Sequence, residues 1–221
     1  MDLHFAFSSR NAPQSTGRGA CGVVSHGEIL ESELQKFQLD LPDSQKLLLA
    51  RYCDELVHWN QKINLTGLTG ANMVRRLVVE PVWVGLRLKP SGVLMDIGSG
   101  NGSPAIPLHI VSHLDKTHLI EARTKRAAFL RHLAADLKLS ELAVHHARFQ
   151  EMAPTLGSPD WITLQGVALS PELVDSIRQI SSKTTTVVWI TADARAPMDP
   201  VEVLDMPITR TQVFLFQLDH S

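Results

Sequence analysis

The chain has 221 residues, of which 44% are hydrophobic and 20% charged, and its formal net charge is −2 at pH 7. This composition is typical of a globular protein with a sizeable core, and the length suits one domain with an appendage better than two full domains. Because the chain is not strongly basic, any nucleic-acid binding would depend on local patches of positive charge. No stretch reaches the ~18 consecutive apolar residues of a membrane-spanning helix, so no membrane partner is expected.

The N-terminal segment differs in composition from the rest of the chain. Residues 1–27 are rich in Ser, Gly, Asn and Pro without periodicity, which predicts a disordered extension. They lack the basic start and long apolar core of a secretory signal peptide. Cys21 and Cys53 show no CxxC spacing, which favours free thiols in a reducing compartment. We therefore expect a cytoplasmic protein.

Residues 28–90 are predicted to form a helical lead-in. Helices are expected at 28–38, 43–61 and 71–88. In the second of these, apolar side chains recur at helical spacing, at Leu47, Leu48, Tyr52, Leu56 and Trp59. The lead-in is expected to form one compact unit with the residues that follow.

Strands alternate with helices over residues 91–221, which predicts an α/β domain with a mostly parallel sheet covered on both faces. The predicted strands are 93–97, 117–121, 142–146, 161–164, 185–190 and 212–218. The predicted helices are 104–113, 125–137 and 171–181. The segment 192–200 is short for a helical crossover before the last strand.

The most informative stretch follows the first predicted strand. An apolar run enters Asp96, and glycines then occupy the alternate positions Gly98, Gly100 and Gly102. Each glycine costs backbone entropy and adds no side chain, so such a segment is useful where the backbone turns sharply and approaches a ligand. A strand that runs through a glycine loop into a helix is the nucleotide-binding corner of an open α/β sheet.

Two cofactor classes use such a corner. The dinucleotide pattern GxGxxG fails because Ser103 stands where its third glycine should be. The pattern Asp-x-Gly-x-Gly-x-Gly of S-adenosylmethionine-dependent methyltransferases is matched in full. Glu121 closes the second predicted strand, where a carboxylate can accept hydrogen bonds from ribose hydroxyls. A glycine turn beside an exposed glutamate that binds nothing is the alternative interpretation.

Three ordered motifs resemble those of one family. They are the segment 59–66 (WNQKINLT), the loop 96–107, and the helix start Lys125-Arg126 followed by Phe129-Leu130. Together they resemble the small-subunit (16S) rRNA methyltransferase G family, also called glucose-inhibited division protein B, over about residues 42–165. The resemblance implies a Rossmann-like S-adenosylmethionine-dependent methyltransferase fold with an N-terminal helical extension. It also implies transfer of a methyl group to N7 of a guanine in 16S rRNA.

The motifs and the resemblance together identify the expected site residues. Those expected to bind S-adenosyl-L-methionine are Asp96, Gly98, Ser99, Gly100, Gly102, Ser103, Glu121, Phe149 and Gln150, the last two at positions where the family holds the adenine. Those expected to face the substrate are Asn64, Thr66, Lys125, Arg126 and Gln165. No catalytic acid or base is assigned. The expected partner is 16S rRNA or the small ribosomal subunit, and the chain is expected to act as a monomer.

The sequence departs from the family pattern at several positions on the expected substrate side. Leu77 replaces a histidine, Gln165 replaces an arginine, and Thr191-Ala192 lacks a lysine; Ala105 is a milder replacement of glycine. Lost cations would weaken contacts to phosphate or to a base edge. Three hypotheses therefore stay open: an active divergent rRNA methyltransferase, a degenerate member that binds cofactor or RNA without the family activity, and a small-molecule methyltransferase.

Two other groups of residues have spacing or charge that could suit a ligand. His109 and His113 are spaced i, i+4 in a predicted helix but lack the glutamate of an HExxH site, so no metal is expected. A basic cluster after Glu121 could contact phosphates or could be a solvated helix face. Its members are Arg123, Lys125, Arg126, Arg131 and His132.

Overall fold

The computed structural model describes residues 25–192 and 196–218, and residues 1–24 of the expected N-terminal extension lie outside this range. The helices are α1 (His26–Lys36), α2 (Asp43–Asn60), α3 (Gly70–Val74), α4 (Glu80–Leu88), α5 (Ala105–Val111), α6 (Thr124–Asp136), α7 (Phe149–Met152) and α8 (Pro171–Ile180). A π-helical turn at Arg75–Val79 joins α3 to α4, and a short 3₁₀ turn at Ala153–Thr155 follows α7. The strands are β1 (Ser91–Ile97), β2 (His113–Ile120), β3 (Leu142–His145), β4 (Trp161–Gln165), β5 (Thr186–Thr191), β6 (Glu202–Asp205) and β7 (Gln212–Phe216).

Helix α1 begins two residues before its predicted start because its N-terminus is capped. The hydroxyl of Ser25 accepts a hydrogen bond from the Glu28 backbone N–H at 3.3 Å, and the Glu28 carboxylate accepts one from the Ser25 N–H at 2.7 Å. This reciprocal capping box satisfies donors that the first helical turn would otherwise leave unpaired.

The strands form one sheet in the order β3-β2-β1-β4-β5-β7-β6 within the described residues. The first five of these are parallel, and β7 runs antiparallel to both β5 and β6. The predicted α/β class with a mostly parallel sheet is therefore confirmed. The chain order reverses between β1 and β4, and ligands bind outside the carboxyl ends of strands at such a reversal.

Both faces of the sheet are buried, and the lead-in covers one of them. Leu94 packs in a cluster with Leu49 and Leu56 of α2, whereas the next residue, Met95, packs with Ile177 of α8 on the other face. Successive side chains of a strand point to opposite faces, so β1 must be apolar on both. The lead-in helices thus share a core with the strands.

Two expected elements are corrected by the structure. The helix predicted at 104–113 ends at Val111, and His113 opens β2, so His109 and His113 do not share a helix. Strand β2 begins at His113 because it pairs in parallel with β1, whose first residue, Ser91, lies opposite His113. The first residues of β2 are mostly polar and carry no strand signal in the sequence. Strand β6 was not predicted, because it is a four-residue edge strand in which Leu204 alone is buried.

Within the described ranges, no helix is both long enough and apolar enough to cross a membrane.

A histidine pair on neighbouring strands predicts a loss of stability in acid. Nδ1 of His118 and Nε2 of His145 lie 2.9 Å apart, and burial, together with His145 and Lys116, lowers the pKa of His118 to about 4. Below pH 6.5, His118 is protonated in the unfolded chain but stays neutral in the folded protein until the pH nears 4. The free energy of unfolding should therefore fall as pH drops from 6.5 towards 4. The expected contribution is about 2 kcal/mol between pH 7 and pH 5.

Urea unfolding at a series of pH values tests this expectation. The His118→Phe variant should lose about that much of the acid dependence, whereas His113→Phe, at an exposed position of the same strand, should keep the wild-type profile. Parallel pH profiles for the wild type and His118→Phe would contradict it.

Candidate cofactor and acceptor site

The glycine loop turns back immediately after β1. Gly98, Gly100 and Gly102 all have positive φ, at 69°, 48° and 95°, values that L side chains rarely adopt. The N–H groups of Gly98 and Ser99 donate to the Ile120 carbonyl at 2.9 and 3.2 Å. These bonds hold the loop against the end of β2.

Glu121 lies at the carboxyl end of β2 and holds the loop from the other side. One carboxylate oxygen accepts the Gly100 N–H at 2.9 Å and the other accepts the Arg123 N–H at 2.7 Å. The side chain is buried, and both of these partners are backbone groups. A carboxylate has about four lone-pair sites, so acceptor capacity remains on Glu121.

Asp96 is buried beneath the loop. Its Oδ1 accepts a hydrogen bond from the Thr163 hydroxyl at 2.6 Å, whereas its Oδ2 has no hydrogen-bond partner among the described residues. Burial raises the pKa of Asp96 to about 7, although the bond from Thr163 acts in the opposite direction. An ionised Asp96 would therefore be stabilised by a further donor or a positive charge.

A cleft of about 400 Å³ opens at the carboxyl ends of β1, β2 and β4. It brings together four of the expected cofactor residues, namely Gly98, Glu121, Phe149 and Gln150. Phe149 is buried at the start of α7, and Gln150 is exposed at the rim. We call this the cofactor cleft.

The other expected cofactor residues shape the loop or face elsewhere. Ser99 is buried, and its hydroxyl donates to the Asp96 carbonyl at 3.1 Å. Gly102 closes the turn by donating its N–H to the Ser99 carbonyl at 2.6 Å. The side chain of Ser103 points to a second cleft beyond the loop.

This second cleft has a volume of about 240 Å³ and lies beside the ends of β4 and β5. The Ser103 hydroxyl donates to Oε1 of Gln165 at 2.6 Å, and Nε2 of Gln165 donates to the Arg76 carbonyl at 3.2 Å. The cleft is also lined by Leu77 and Thr191, so the positions at which the sequence departs from the family pattern converge on it. We call it the acceptor cleft.

Arg76 lines the acceptor cleft and was not expected there from the sequence. Its guanidinium lies 3.4 Å from the Glu80 carboxylate and contacts the Thr211 hydroxyl. Glu80 is fully buried, and burial raises its pKa, while Arg76 opposes that shift. Its place directly before Leu77, where the family pattern has a histidine, was the available signal.

An open groove of about 510 Å³ brings together three of the expected substrate residues, namely Asn64, Lys125 and Arg126. Nη2 of Arg126 donates to the Asn64 carbonyl at 2.9 Å, which ties the start of α6 to the segment after α2. We call this the basic groove; its lining residues are Lys62, Ile63, Asn64, Arg123, Thr124, Lys125 and Arg126.

Two expected substrate residues and two members of the basic cluster do not line this groove, namely Thr66, Gln165, Arg131 and His132. The Thr66 hydroxyl accepts the Leu68 N–H at 3.1 Å, so Thr66 shapes a turn. His132 pairs with Glu55 at 2.9 Å, and Arg131 lies outside the lining residues.

Comparison with known proteins identifies the family. The family model described as rRNA small subunit methyltransferase G matches residues 45–203. This chain belongs to that family.

 All residues that line the cofactor cleft, the acceptor cleft and the basic groove lie within these matched residues.

Individual relatives agree with this assignment. The chain is 31% identical to the ribosomal RNA small subunit methyltransferase G of Wolinella succinogenes over 162 residues, which cover 72% of this chain and 82% of that protein. It is 34% identical to the protein of the same name from Lactococcus lactis subsp. lactis over 144 residues, which cover 62% of this chain and 60% of that one. The match to the second relative therefore spans less than two thirds of its length.

Among solved structures, the fold is similar to an RNA methyltransferase from Salinibacter ruber in complex with S-adenosyl-L-homocysteine. The TM-score is 0.52 at 19% identity, and the match covers 63% of this chain and 91% of that one. At this identity the similarity supports the Rossmann-like methyltransferase fold, which agrees with the sheet order described above.

Tyr52 is a further site residue that sequence reasoning placed only in the core. From α2 its buried hydroxyl donates to the Asn101 carbonyl of the glycine loop at 3.0 Å. Burial raises the pKa of Tyr52 well above its ordinary value, so the hydroxyl keeps the proton that it donates. The lead-in of this family member thus helps to fix the loop.

Replacement of Tyr52 by Phe should remove this bond while keeping the ring. We expect a loss of about 1 kcal/mol in the free energy of unfolding, because the Asn101 carbonyl loses its donor. Urea unfolding measures it. An unchanged midpoint and slope would show that the bond does not hold the loop.

No group of three or more His, Cys, Asp and Glu side chains within 25–192 and 196–218 is arranged to hold a metal ion. Cys53 is a free, buried thiol, and burial raises its pKa to about 12, which makes it unreactive. Cys21 lies outside the described residues.

Proposed function

We propose that this chain is an S-adenosylmethionine-dependent methyltransferase that transfers a methyl group to N7 of a guanine in 16S rRNA. The observation that carries the proposal is the glycine loop with Glu121 at the carboxyl ends of β1 and β2, in a chain of the rRNA small subunit methyltransferase G family. This corner of an α/β sheet suits an adenosine-containing ligand.

The residues of the cofactor cleft fit S-adenosylmethionine. Glu121 would accept the ribose hydroxyls with the acceptor capacity that its two backbone partners leave. Phe149 and Gln150 would border the adenine. A Cβ added to Gly98 would lie 3.0 Å from Cγ2 of Val167, another residue that lines the cleft, so a side chain at Gly98 would narrow it.

The chemistry asks little of the protein beyond alignment. S-adenosylmethionine supplies a methyl group on a positively charged sulfur, and guanine N7 carries a lone pair that can accept it without loss of a proton. No general base is therefore required. Holding two reactants in line can by itself lower a barrier by about 7–11 kcal/mol. We assign this positioning role to the acceptor cleft, with Ser103, Gln165 and Arg76 as the polar groups around the base.

A second candidate is a family member that binds cofactor or RNA but has lost the family activity. Leu77, Gln165 and Thr191 support it, because they stand in one cleft where the family pattern has histidine, arginine and lysine. A small-molecule acceptor is less well supported. The acceptor cleft has several polar side chains, and an open basic groove lies nearby.

We further propose that the protein acts as a cytoplasmic monomer on 16S rRNA or on the small ribosomal subunit. We also propose that residues 28–90 and 91–221 form one unit. Of the extension expected at 1–27, Ser25 caps α1 and residues 26–27 belong to that helix, whereas residues 1–24 lie outside the described residues. The core shared by Leu49, Leu56 and Leu94 supports a single unit.

Mass spectrometry of 16S rRNA nucleosides tests the activity. In a host that lacks its own enzyme, expression of this chain should restore N7-methylguanine, and a Glu121→Ala variant should not. Calorimetry with S-adenosylmethionine separates the candidates. Cofactor binding without methylation of 16S rRNA or small subunits would favour the degenerate member. No binding even at millimolar cofactor would reject the proposed methyltransferase and leave only a family member that binds RNA.

A further inference from the structure

The basic groove is distinguished by the number of cations that it brings together. Some cations elsewhere are neutralised, for example Arg51 by Asp136 at 2.8 Å and Arg75 by Glu33 at 2.6 Å, whereas others, such as Lys138 and Lys183, form no ion pair among the described residues. Within residues 25–192 and 196–218, the groove residues Lys62, Arg123, Lys125 and Arg126 form no ion pair with a carboxylate. Four unpaired cations therefore line one groove of a chain whose formal net charge is −2.

Among the described residues, Glu121 and Glu55 form no ion pair with these cations. The buried carboxylate of Glu121 accepts two backbone N–H groups and lines the cofactor cleft, not the groove. Glu55 pairs with His132 and accepts the indole N–H of Trp59 at 3.1 Å. The groove lining itself contains no aspartate or glutamate. The lining therefore carries an excess of positive charge, which attracts anions.

Two of the cations contact groups other than carboxylates. Nζ of Lys62 lies 5.4 Å from the centre of the Trp59 ring and 2.9 Å from Nε2 of His58. Arg126 is fixed through the Asn64 carbonyl, and a Cβ on Gly100 would lie 3.5 Å from its Nη1. Arg126 thus lines the basic groove and also lies beside Gly100 of the glycine loop.

One chain segment links the groove to the acceptor cleft. The residues after α2 pass from Asn64, which lines the groove, to Leu68, which lines the acceptor cleft. Between them, the Leu65 carbonyl accepts a hydrogen bond from Nδ2 of Asn101, at 3.5 Å. An extended polyanion lying in the groove would therefore be directed along this segment towards the acceptor cleft.

We propose that the basic groove binds consecutive backbone phosphates of the RNA substrate and in this way directs the reacting base to the acceptor cleft. The inference rests on the proposed function for the identity of the substrate. Contacts to phosphates fix the register of a nucleic acid, whereas base contacts give sequence specificity. The groove therefore compensates for cations that the acceptor cleft lacks, because it supplies affinity from outside that cleft.

The test measures the salt dependence of binding to deproteinised 16S rRNA. The double variant Lys62→Ala/Lys125→Ala should bind about tenfold more weakly, and the slope of log affinity against log salt should fall by about 1.4–1.8, since each lost phosphate contact contributes about 0.7–0.9. The matched control Lys138→Ala/Lys183→Ala removes two exposed lysines that lie outside the groove and form no ion pair with any described residue. It should keep the wild-type slope. Both double variants should bind S-adenosylmethionine within twofold of wild type.

Three outcomes would overturn the inference. The first is a groove variant that keeps the wild-type slope. The second is a control variant that loses as much RNA affinity as the groove variant. The third is displacement of the rRNA by poly-glutamate as readily as by poly-uridylate. Methylation of the same rRNA is followed in parallel, so the two proposals fail separately. If the wild type methylates the rRNA but the groove variant keeps the wild-type RNA binding, the role of the groove alone is rejected. If RNA binding depends on the groove but the rRNA is not methylated, the proposed activity alone is rejected.

Discussion

Replacement of Glu121 by Ala is expected to weaken S-adenosylmethionine binding by about 10- to 100-fold. Hydrogen bonds to a charged group contribute about 1.5–3 kcal/mol, and the variant would lose those that a ribose makes to the carboxylate. It would also leave the Gly100 N–H without the acceptor that now holds the loop at 2.9 Å. Isothermal calorimetry measures the dissociation constant.

Two further variants separate charge from position. Glu121→Gln keeps one acceptor oxygen and nearly the same shape, so its loss should be intermediate. Glu202→Ala removes an exposed carboxylate from β6, at the far edge of the sheet, and should bind the cofactor like the wild type. Cofactor affinity that is equal in Glu121→Ala and Glu202→Ala would exclude Glu121 from the cofactor site.

Replacement of Gly102 by Ala is expected to lower the free energy of unfolding by about 2–5 kcal/mol. A left-handed backbone costs a non-glycine residue about 1–2 kcal/mol. At φ 95° the new Cβ would also lie 2.9 Å from Cγ1 of the fully buried Ile106, and overpacking of this kind costs about 1–3 kcal/mol. Urea unfolding measures the sum.

Gly157 provides the matched control for backbone strain. It has a φ of 80°, and a Cβ there would meet nothing within 4 Å. Gly157→Ala should therefore show the backbone cost alone, about 1–2 kcal/mol. If the two variants were equally stable, contact with Ile106 would not be the reason that Gly102 is a glycine.

The two halves of the proposed site differ in how closely they follow the family pattern. The glycine loop and Glu121 match it, whereas Leu77, Gln165 and Thr191 do not. Gln165 is nevertheless integrated into the structure, since both ends of its amide group are hydrogen-bonded. The Gln165 amide in the acceptor cleft thus has hydrogen-bond partners although the family pattern has an arginine there. A search for the modified nucleotide should therefore cover the whole 16S rRNA.

Much of the architecture could be predicted from the sequence, because it depends on local patterns. The apolar run before Asp96 and the spaced glycines indicated a strand and a ligand-binding turn. The structure has that turn, with three positive φ angles. Alternation of strands and helices indicated the parallel sheet. Short or polar elements gave no such signal, so β6 and the first residues of β2 were missed; pairing with neighbouring strands decides them.

The sequence by itself determined the fold class, the glycine loop and the acid that faces it, because each depends on residue type at fixed spacing. Only the tertiary structure decided how distant residues combine. It placed Ser103 beside Gln165, joined Tyr52 to the loop, and gathered cations from two segments into one groove. Such contacts join residues that are about 50 to 60 positions apart in the chain. Sheet order and helix packing, which no local pattern encodes, bring them together.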